Sequence, residues 1–261
     1  MSGQTIRFED GGAYERGMGG WTRLAGQVFL DWLAPPAGLR WIDVGCGTGA
    51  FSELLVQRCT PSSVSGVDPS PAQLEYAQGR PGMTGATFQH GDAMALPFPD
   101  ASFDAAVMAL VIFFVPDPAK GVSEMVRVVR PGGTVSAYAW NFAAAGFPYG
   151  VIQDALRAHG VTPPLPPHPE IAQEDTLRAL WTESGLDTVK TRTIAVQRSF
   201  RDFGDFWAVS TGSGALKVTL AALPPATIDA VKAQVRSRLT EAADGQVTHT
   251  ASAAAVTGRV R

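Results

Sequence analysis

The chain has 261 residues, 45% of them hydrophobic and 17% charged, and a formal net charge of −3. Its two cysteines are too few for a disulfide scaffold, its scattered Lys and Arg residues lack the basic surface of a nucleic-acid binder, and no apolar run approaches the roughly 20 residues that span a bilayer. We therefore expect a cytoplasmic globular protein, a monomer or a homodimer, with no nucleic acid, membrane or metal ion as partner.

Short apolar runs alternate with helical patterns through the first half of the chain. An amphipathic helix is predicted over 14–33, ended by Pro35 and Pro36. The alternation that follows implies helical crossovers and hence a mainly parallel sheet. Strands are predicted at 39–44, 64–67, 86–89, 103–110 and 134–140, helices at 50–58, 71–79 and 118–129, and a turn at 130–133.

The second half has a different texture. Two stretches, 141–172 and 198–224, are rich in glycine, alanine, proline or aromatic residues and are predicted to be irregular insertions over the mouth of the sheet. Helices are predicted at 174–184 and 225–239, and strands at 188–197 and 246–256.

A glycine-rich turn directly follows the first predicted strand. Gly45-x-Gly47-x-x-Ala50 satisfies the loose dinucleotide-binding pattern, and Asp68 lies 23 residues after Gly45, at the end of the second strand. A carboxylate there can accept hydrogen bonds from ribose hydroxyls. This pair of features indicates an adenosine ligand and is compatible with NAD.

Further residues favour a different ligand. Asp43 lies inside the first strand, where a dinucleotide fold normally has an apolar residue, and its carboxylate would face a cationic amino group. Asp92 follows the third strand and can accept a hydrogen bond from an adenine amino group. The chain also lacks a Tyr-x-x-x-Lys pair for hydride chemistry.

With these motifs, and with the segments 96–104 and 128–133 before the fourth and fifth strands, the chain resembles class I S-adenosylmethionine-dependent methyltransferases. The similarity is to the small-molecule branch often labelled methyltransferase type 11. It implies an α/β fold, namely a Rossmann-like, mainly parallel seven-stranded sheet with helices on both faces, an antiparallel last strand and insertions that form a lid. It also implies a single domain over 1–261, with an amino-terminal cap at 1–36, a cofactor-binding core at about 37–141 and lid insertions at about 141–172 and 198–224.

The resemblance implies S-adenosylmethionine as cofactor and S-adenosylhomocysteine as product. The glycine turn would pack against the methionine part and the ribose, the acidic residues would bind the amino group, ribose and adenine, and aromatic residues of the first helix would close over the cofactor. The implied cofactor-binding residues are Tyr14, Trp21, Asp43, Gly45, Gly47, Asp68, Pro69, Asp92, Ala93, Met108, Ala109 and Leu110.

The acceptor is expected to be a small, partly apolar molecule. Members of this branch often have a histidine where this chain has Phe113. Methyl transfer from a sulfonium is an in-line displacement with a neutral leaving group, so positioning and water exclusion can supply much of the acceleration. If a general base acts, the candidates are His159 and His168 in the first insertion.

Two questions stay open at this point: the role of one group of aromatic residues and the function of the chain. The aromatic residues Phe200, Phe203, Phe206 and Trp207 either wall an acceptor pocket or pack the lid onto the core. The chain as a whole is expected to be a methyltransferase; the alternatives are a non-catalytic protein that binds S-adenosylmethionine or S-adenosylhomocysteine, motivated by Phe113, and an NAD-dependent oxidoreductase, which Asp43 disfavours.

Overall fold

The computed structural model describes residue 12 and residues 15–142, 146–212 and 214–261. The helices are α1 (Gly20–Leu33, preceded by a π-helical turn at Glu15–Gly19), α2 (Ala50–Cys59), α3 (Pro71–Gln78), α4 (Pro118–Val128), α5 (Gly150–Ala158), α6 (Glu174–Glu183), α7 (Phe203–Thr211), α8 (Gly214–Ala221) and α9 (Pro225–Arg238). The strands are β1 (Arg40–Val44), β2 (Ser63–Asp68), β3 (Ala86–His90), β4 (Phe103–Ala109), β5 (Val129–Trp140), β6 (Asp187–Phe200), β7 (Thr240–Glu241) and β8 (Val247–Arg259).

Seven strands form one sheet in the order β3-β2-β1-β4-β5-β8-β6, and the two-residue β7 pairs with β8 outside this order. Strands β1 to β5 are parallel, whereas β8 runs antiparallel to both β5 and β6. The predicted mainly parallel sheet with an antiparallel last strand is confirmed. Strands β2 and β3 lie on one side of β1, and β4 and β5 lie on the other. A crevice therefore opens at the carboxyl ends of β1 and β4, where open α/β sheets bind their ligands.

Three aromatic rings join the first helix to the core. Phe29 of α1 lies 4.7 Å from Tyr138 of β5 and 6.0 Å from Phe51 of α2, measured between ring centroids. Both Phe29 and Tyr138 are fully buried. Since such pairs add to the free energy already gained by burial, α1 is held firmly against the site-bearing end of the sheet.

Strand β5 begins at Val129, so the prediction of a turn at 130–133 was wrong. The pairing of β5 with β4 shifts register after Val129, and the extra residues bulge toward the end of β8. There Gly132 N donates to Val260 O at 2.9 Å and Val260 N donates to Gly133 O at 3.0 Å. Gly132 has a φ of +76°, so the local glycine signal marks a bulge inside a strand instead of a turn before one.

The two stretches predicted to be irregular contain helices. The first contains α5, whose buried face includes Val151, Ile152 and Leu156, and the second contains α7 and α8. The Asp202 side chain caps α7 by accepting a hydrogen bond from Asp205 N at 2.8 Å. The prediction of irregular structure rested on the composition of these stretches. Burial of short apolar helix faces and helix capping decide the local structure instead.

The remaining predicted elements begin and end within three residues of the observed bounds. The first helix is the exception: α1 begins at Gly20, after the π-helical turn at Glu15–Gly19, and Tyr14 lies outside the described residues. Within the described part of the chain, no helix is long and apolar enough to cross a membrane.

The β5 bulge yields a stability prediction. A Cβ added at Gly133 would lie 2.6 Å from the backbone oxygen of Asp104 and 2.5 Å from Val129 Cγ1, so Gly133→Ala should lower the free energy of unfolding by about 1–3 kcal/mol in urea titrations. The control is Gly79→Ala, where the added atom meets Glu75 O at 3.6 Å and should leave stability unchanged or slightly raised. Equal effects of the two substitutions would contradict the packing argument.

Candidate functional site

The glycine turn closes the carboxyl end of β1 onto β2. Gly45 N and Cys46 N both donate to Val67 O, at 2.7 and 3.0 Å. Gly45, Gly47 and Gly49 have φ values of +74°, +52° and +77°, which favour glycine. A Cβ at Gly45 would lie 2.4 Å from Val111 Cγ2, so the turn also packs directly on the segment that follows β4.

Asp68 organises this turn from the end of β2. Its Oδ2 accepts a hydrogen bond from Gly47 N at 2.9 Å, and its Oδ1 accepts one from Ser70 N at 2.8 Å. Burial raises the pKa of the Asp68 carboxyl, and these two N–H groups oppose the rise. Each carboxylate oxygen can accept a second hydrogen bond, so Asp68 can hold the turn and bind a ligand hydroxyl at once.

Asp43 is fully buried beneath the turn. Its Oδ2 accepts a hydrogen bond from Ser52 Oγ at 2.6 Å, while its Oδ1 has no partner among the described residues. Burial raises the pKa of Asp43 to about 7, and the nearby charge of Asp68 adds to the rise. A buried carboxylate oxygen without a partner is costly, and a cationic ligand group would remove that cost.

A first cavity lies over the turn, lined by Asp43, Gly47, Asp68 and the end of β4. Gln73 of α3 also lines it, and its Oε1 is buried with no partner among the described residues. The sequence reasoning missed Gln73. The signal was present: an amide occupies the buried face of a helix whose other buried residues, Leu74 and Ala77, are apolar.

A second cavity adjoins the first, and Leu110 and Phe114 line both. Six of its described lining residues are aromatic, and both insertions contribute to it, through Pro164 from the first and Leu216 from the second. None of the described residues that line it is Asp, Glu, His, Lys or Arg. The aromatic wall residues are Phe113, Phe114, Trp140, Phe142, Phe147 and Tyr149.

Residues 42–137 match a family described as "Methyltransferase domain". The chain carries a methyltransferase domain over residues 42–137. Over 95 residues it is 45% identical to "2-methyl-6-phytyl-1,4-hydroquinone methyltransferase 2, chloroplastic" of Oryza sativa subsp. japonica, a match that covers 36% of this chain and 27% of the rice protein. Over 121 residues it is 38% identical to "Demethylmenaquinone methyltransferase" of Desulfitobacterium hafniense, covering 44% of this chain and 46% of that protein.

The fold of the methyltransferase domain has a solved counterpart. A crystal structure of a SAM-dependent methyltransferase from Thermotoga maritima superposes with a TM-score of 0.58 at 19% identity, covering 95% of this chain and 94% of that one. This likeness shows the fold. The chain spans less than half the length of the two curated relatives named above.

The methyltransferase domain brings six of the predicted cofactor-binding residues to the first cavity. Three others lie at the ends of β2 and β3 but not among its lining: Pro69, Ala93 and Asp92, which is exposed and accepts a hydrogen bond from Met94 N at 2.8 Å. Their role in adenine binding stays a prediction. The six at the cavity are Asp43, Gly45, Gly47, Asp68, Ala109 and Leu110.

Met108 and Trp21 are placed elsewhere. Met108 is fully buried on the other face of β4, where its Cε lies 3.2 Å from the position that a Cβ on Gly121 would occupy, because successive side chains of a strand alternate between faces. Trp21 is buried against Trp140, at 6.5 Å between centroids, and does not line either cavity; its neighbour Thr22 lines the first. Tyr14 lies outside the described residues.

Neither of the two candidate bases lines either cavity. His159 is exposed at the end of α5. His168 Nε2 lies 3.2 Å from Pro116 O, and its Nδ1 lies 3.4 Å from a carboxylate oxygen of Glu170. The structure therefore gives neither histidine a position from which it contacts a ligand in the cavities.

The aromatic residues considered for the acceptor wall pack the second insertion onto the core. Phe206 lies 5.1 Å from Phe200 and 5.6 Å from His249, and none of Phe200, Phe203, Phe206 and Trp207 lines a cavity. The aromatic wall comes instead from the segment after β4, from the end of β5 and from the segment after β5.

Asp43 makes ligand affinity depend on pH. Below its pKa of about 7 the buried carboxyl is protonated, so binding of a cationic amino group must release that proton, and affinity for S-adenosylhomocysteine should fall by up to about tenfold per pH unit from pH 7 to 5.5. Calorimetry checks this. Asp43→Asn should bind weakly with no such slope, while His90→Gln, which removes the titratable group facing Asp68, should keep it. An affinity of the wild-type protein that does not change with pH would contradict the pairing of Asp43 with the amino group.

Substitution of Gln73 should weaken ligand binding without lowering the stability of the protein. Because its Oε1 is unpaired in the free protein, Gln73→Leu should leave the melting temperature unchanged or higher, yet weaken S-adenosylhomocysteine about 5- to 30-fold if the ligand pairs with this amide. Gln78→Leu is the matched control, since the Gln78 side chain donates to Phe88 O at the exposed side of the same helix. Unchanged affinity in Gln73→Leu would remove Gln73 from the binding site.

Proposed function

We propose that this protein transfers the methyl group of S-adenosylmethionine to a small, uncharged, largely apolar molecule. The observation that carries the proposal is the pair of adjoining cavities with opposite chemistry, one containing buried carboxylates and a glycine turn, the other walled by aromatic rings. Leu110 and Phe114 line both, so a cofactor in the first cavity and an acceptor in the second would meet at these residues.

The first cavity fits the methionine and ribose parts of the cofactor. Asp43 Oδ1, buried and unpaired, would accept from the amino group, Asp68 would accept from the ribose hydroxyls, and Gln73 would offer a further polar contact. The glycine turn brings the backbone close to the ligand. When bound, the cofactor supplies a methyl carbon activated by a sulfonium and a neutral leaving group.

Leu110 holds the boundary between the two cavities. Its φ is +63°, a left-handed conformation that costs about 1–2 kcal/mol for a residue with a side chain. Leu110 N donates to Tyr138 O at 2.8 Å, and this bond to β5 maintains the conformation. Strain of this kind concentrates at ligand-binding sites, where the surrounding structure fixes one geometry. Here it would orient the acceptor and donor for in-line displacement.

The protein would accelerate the reaction by positioning and by excluding water. No carboxylate or histidine is present among the described residues that line the second cavity, so these residues do not supply a base of either kind. The names of the two curated relatives, a hydroquinone and a demethylmenaquinone methyltransferase, describe apolar ring acceptors and support this choice of substrate class.

We also propose the single-domain organisation predicted from the sequence. Its support is that every part contributes to the two cavities. The cap supplies Met18 and Thr22, the core supplies the turn and the end of β4, and the insertions supply Pro164 and Leu216.

One observation favours a second function. Phe113 is buried in the wall of the second cavity, 5.1 Å from Phe142 between centroids, where relatives often have a histidine. A protein that binds the cofactor without transferring the methyl group would show the same packing. The nicotinamide alternative has less support, because a buried carboxylate would repel the pyrophosphate of a dinucleotide.

Two measurements test the proposed function. Calorimetry should show binding of S-adenosylmethionine and S-adenosylhomocysteine, and incubation with a panel of phenols, hydroquinones and aromatic amines should release S-adenosylhomocysteine for at least one acceptor, with Asp43→Asn as the inactive control. Absence of binding by either cofactor form at millimolar concentration would refute the proposal. Tight binding without turnover across the panel would favour the non-catalytic function.

A further inference from the structure

The second cavity has a surface suited to a flat ring. Its aromatic side chains contact one another in series: Phe113 and Phe142 lie 5.1 Å apart at 89°, Phe142 and Phe147 lie 4.8 Å apart, and Phe147 and Tyr149 lie 5.4 Å apart at 78°. Edges and faces of rings are thus both presented along one wall. An aromatic ligand gains most from such a surface, since ring pairs favour edge-to-face and offset contacts.

The same wall disfavours an anionic ligand. The described lining residues include no cationic side chain that could pair with a negative charge, so an anion entering the cavity would lose its hydration without compensation. Polar recognition must therefore come from neutral groups.

Trp140 supplies such a group. It lies at the end of β5, 2% exposed, and lines the second cavity. Its Nε1 is buried and has no hydrogen-bond partner among the described residues. Another indole N–H in the fold does have a hydrogen-bond partner, since Trp181 Nε1 donates to Val135 O at 2.9 Å.

Two other indoles provide a comparison within the described chain. Trp21 and Trp41 also have a buried Nε1 without a described partner, but neither lines either cavity. Trp140 is thus the one of these three indoles whose side chain lines a cavity. A buried N–H that stays unpaired costs free energy, and a ligand that pairs with it gains affinity.

We infer that Trp140 determines specificity by donating a hydrogen bond from Nε1 to an uncharged acceptor atom on an aromatic substrate. The inference rests on the proposed function and narrows its substrate class to neutral rings that carry an oxygen or nitrogen acceptor, such as phenols, hydroquinones and aryl ketones. Hydrocarbon rings of the same shape lack this interaction.

The test uses two probes of matched shape, acetophenone and α-methylstyrene, in which a carbonyl oxygen is replaced by CH2. Each is titrated into the full-length protein saturated with S-adenosylhomocysteine. Trp140→Phe should weaken acetophenone about three- to tenfold more than it weakens α-methylstyrene. Trp41→Phe, which removes an unpaired buried indole N–H outside the cavities, should change both affinities equally.

A measurement on the unsubstituted protein accompanies the variants. In ¹⁵N spectra, the Nε1–H proton of Trp140 should move downfield on addition of acetophenone and much less with α-methylstyrene. Equal weakening of both probes in Trp140→Phe, failure of both probes to bind, or the absence of the ketone-specific shift would overturn the inference. Saturation by S-adenosylhomocysteine is measured first in the same samples, so a failure of the proposed cofactor binding is seen separately from a failure of the inference.

Discussion

The hydrogen bond from Gly47 N to Asp68 is the contact on which the site depends. It ties the glycine turn after β1 to the end of β2, while Val67 O accepts from two further N–H groups of the same turn. The glycine turn also packs on Val111 after β4, so the ends of β1, β2 and β4 are held in one arrangement. Because the strands are parallel, their carboxyl ends meet at one edge, and the polar groups there converge on a common space.

Burial gives this space its chemistry. Asp43 and Asp68 lose hydration, which raises the pKa of each carboxyl, and only Asp68 has both oxygens paired within the described chain. A site that leaves one carboxylate oxygen and the Gln73 amide oxygen unpaired is less stable alone than with a ligand that donates to them. The second cavity has no ionisable Asp, Glu, His, Lys or Arg among its described lining residues; its wall carries aromatic rings and one unpaired indole N–H. Two cavities of different polarity thereby adjoin at Leu110 and Phe114, which line both.

The first cavity was largely predictable from sequence because its residues act through the backbone and strand ends. Gly45, Gly47, Asp43 and Asp68 occupy positions fixed by a strand, a turn and the next strand, so local pattern sufficed to bring them to one cavity. Met108 was misplaced because the alternation of side chains along β4 was not applied. Gln73 was missed because a lone amide on a helix carries little signal until its environment is known.

The second cavity depends on contacts distant in sequence. Its wall joins residues after β4, after β5 and from both insertions, and no local periodicity relates these segments to one another. The aromatic cluster at 200–207 had the stronger sequence pattern, yet it packs on His249 in the core, whereas Phe142, Phe147 and Trp140 form the cavity. By itself the sequence determined the mainly parallel sheet and the glycine turn after β1, since both follow from local strand, helix and glycine patterns. The second cavity was decided by the tertiary structure alone, because its shape and its unpaired indole N–H arise only when the insertions fold over the sheet.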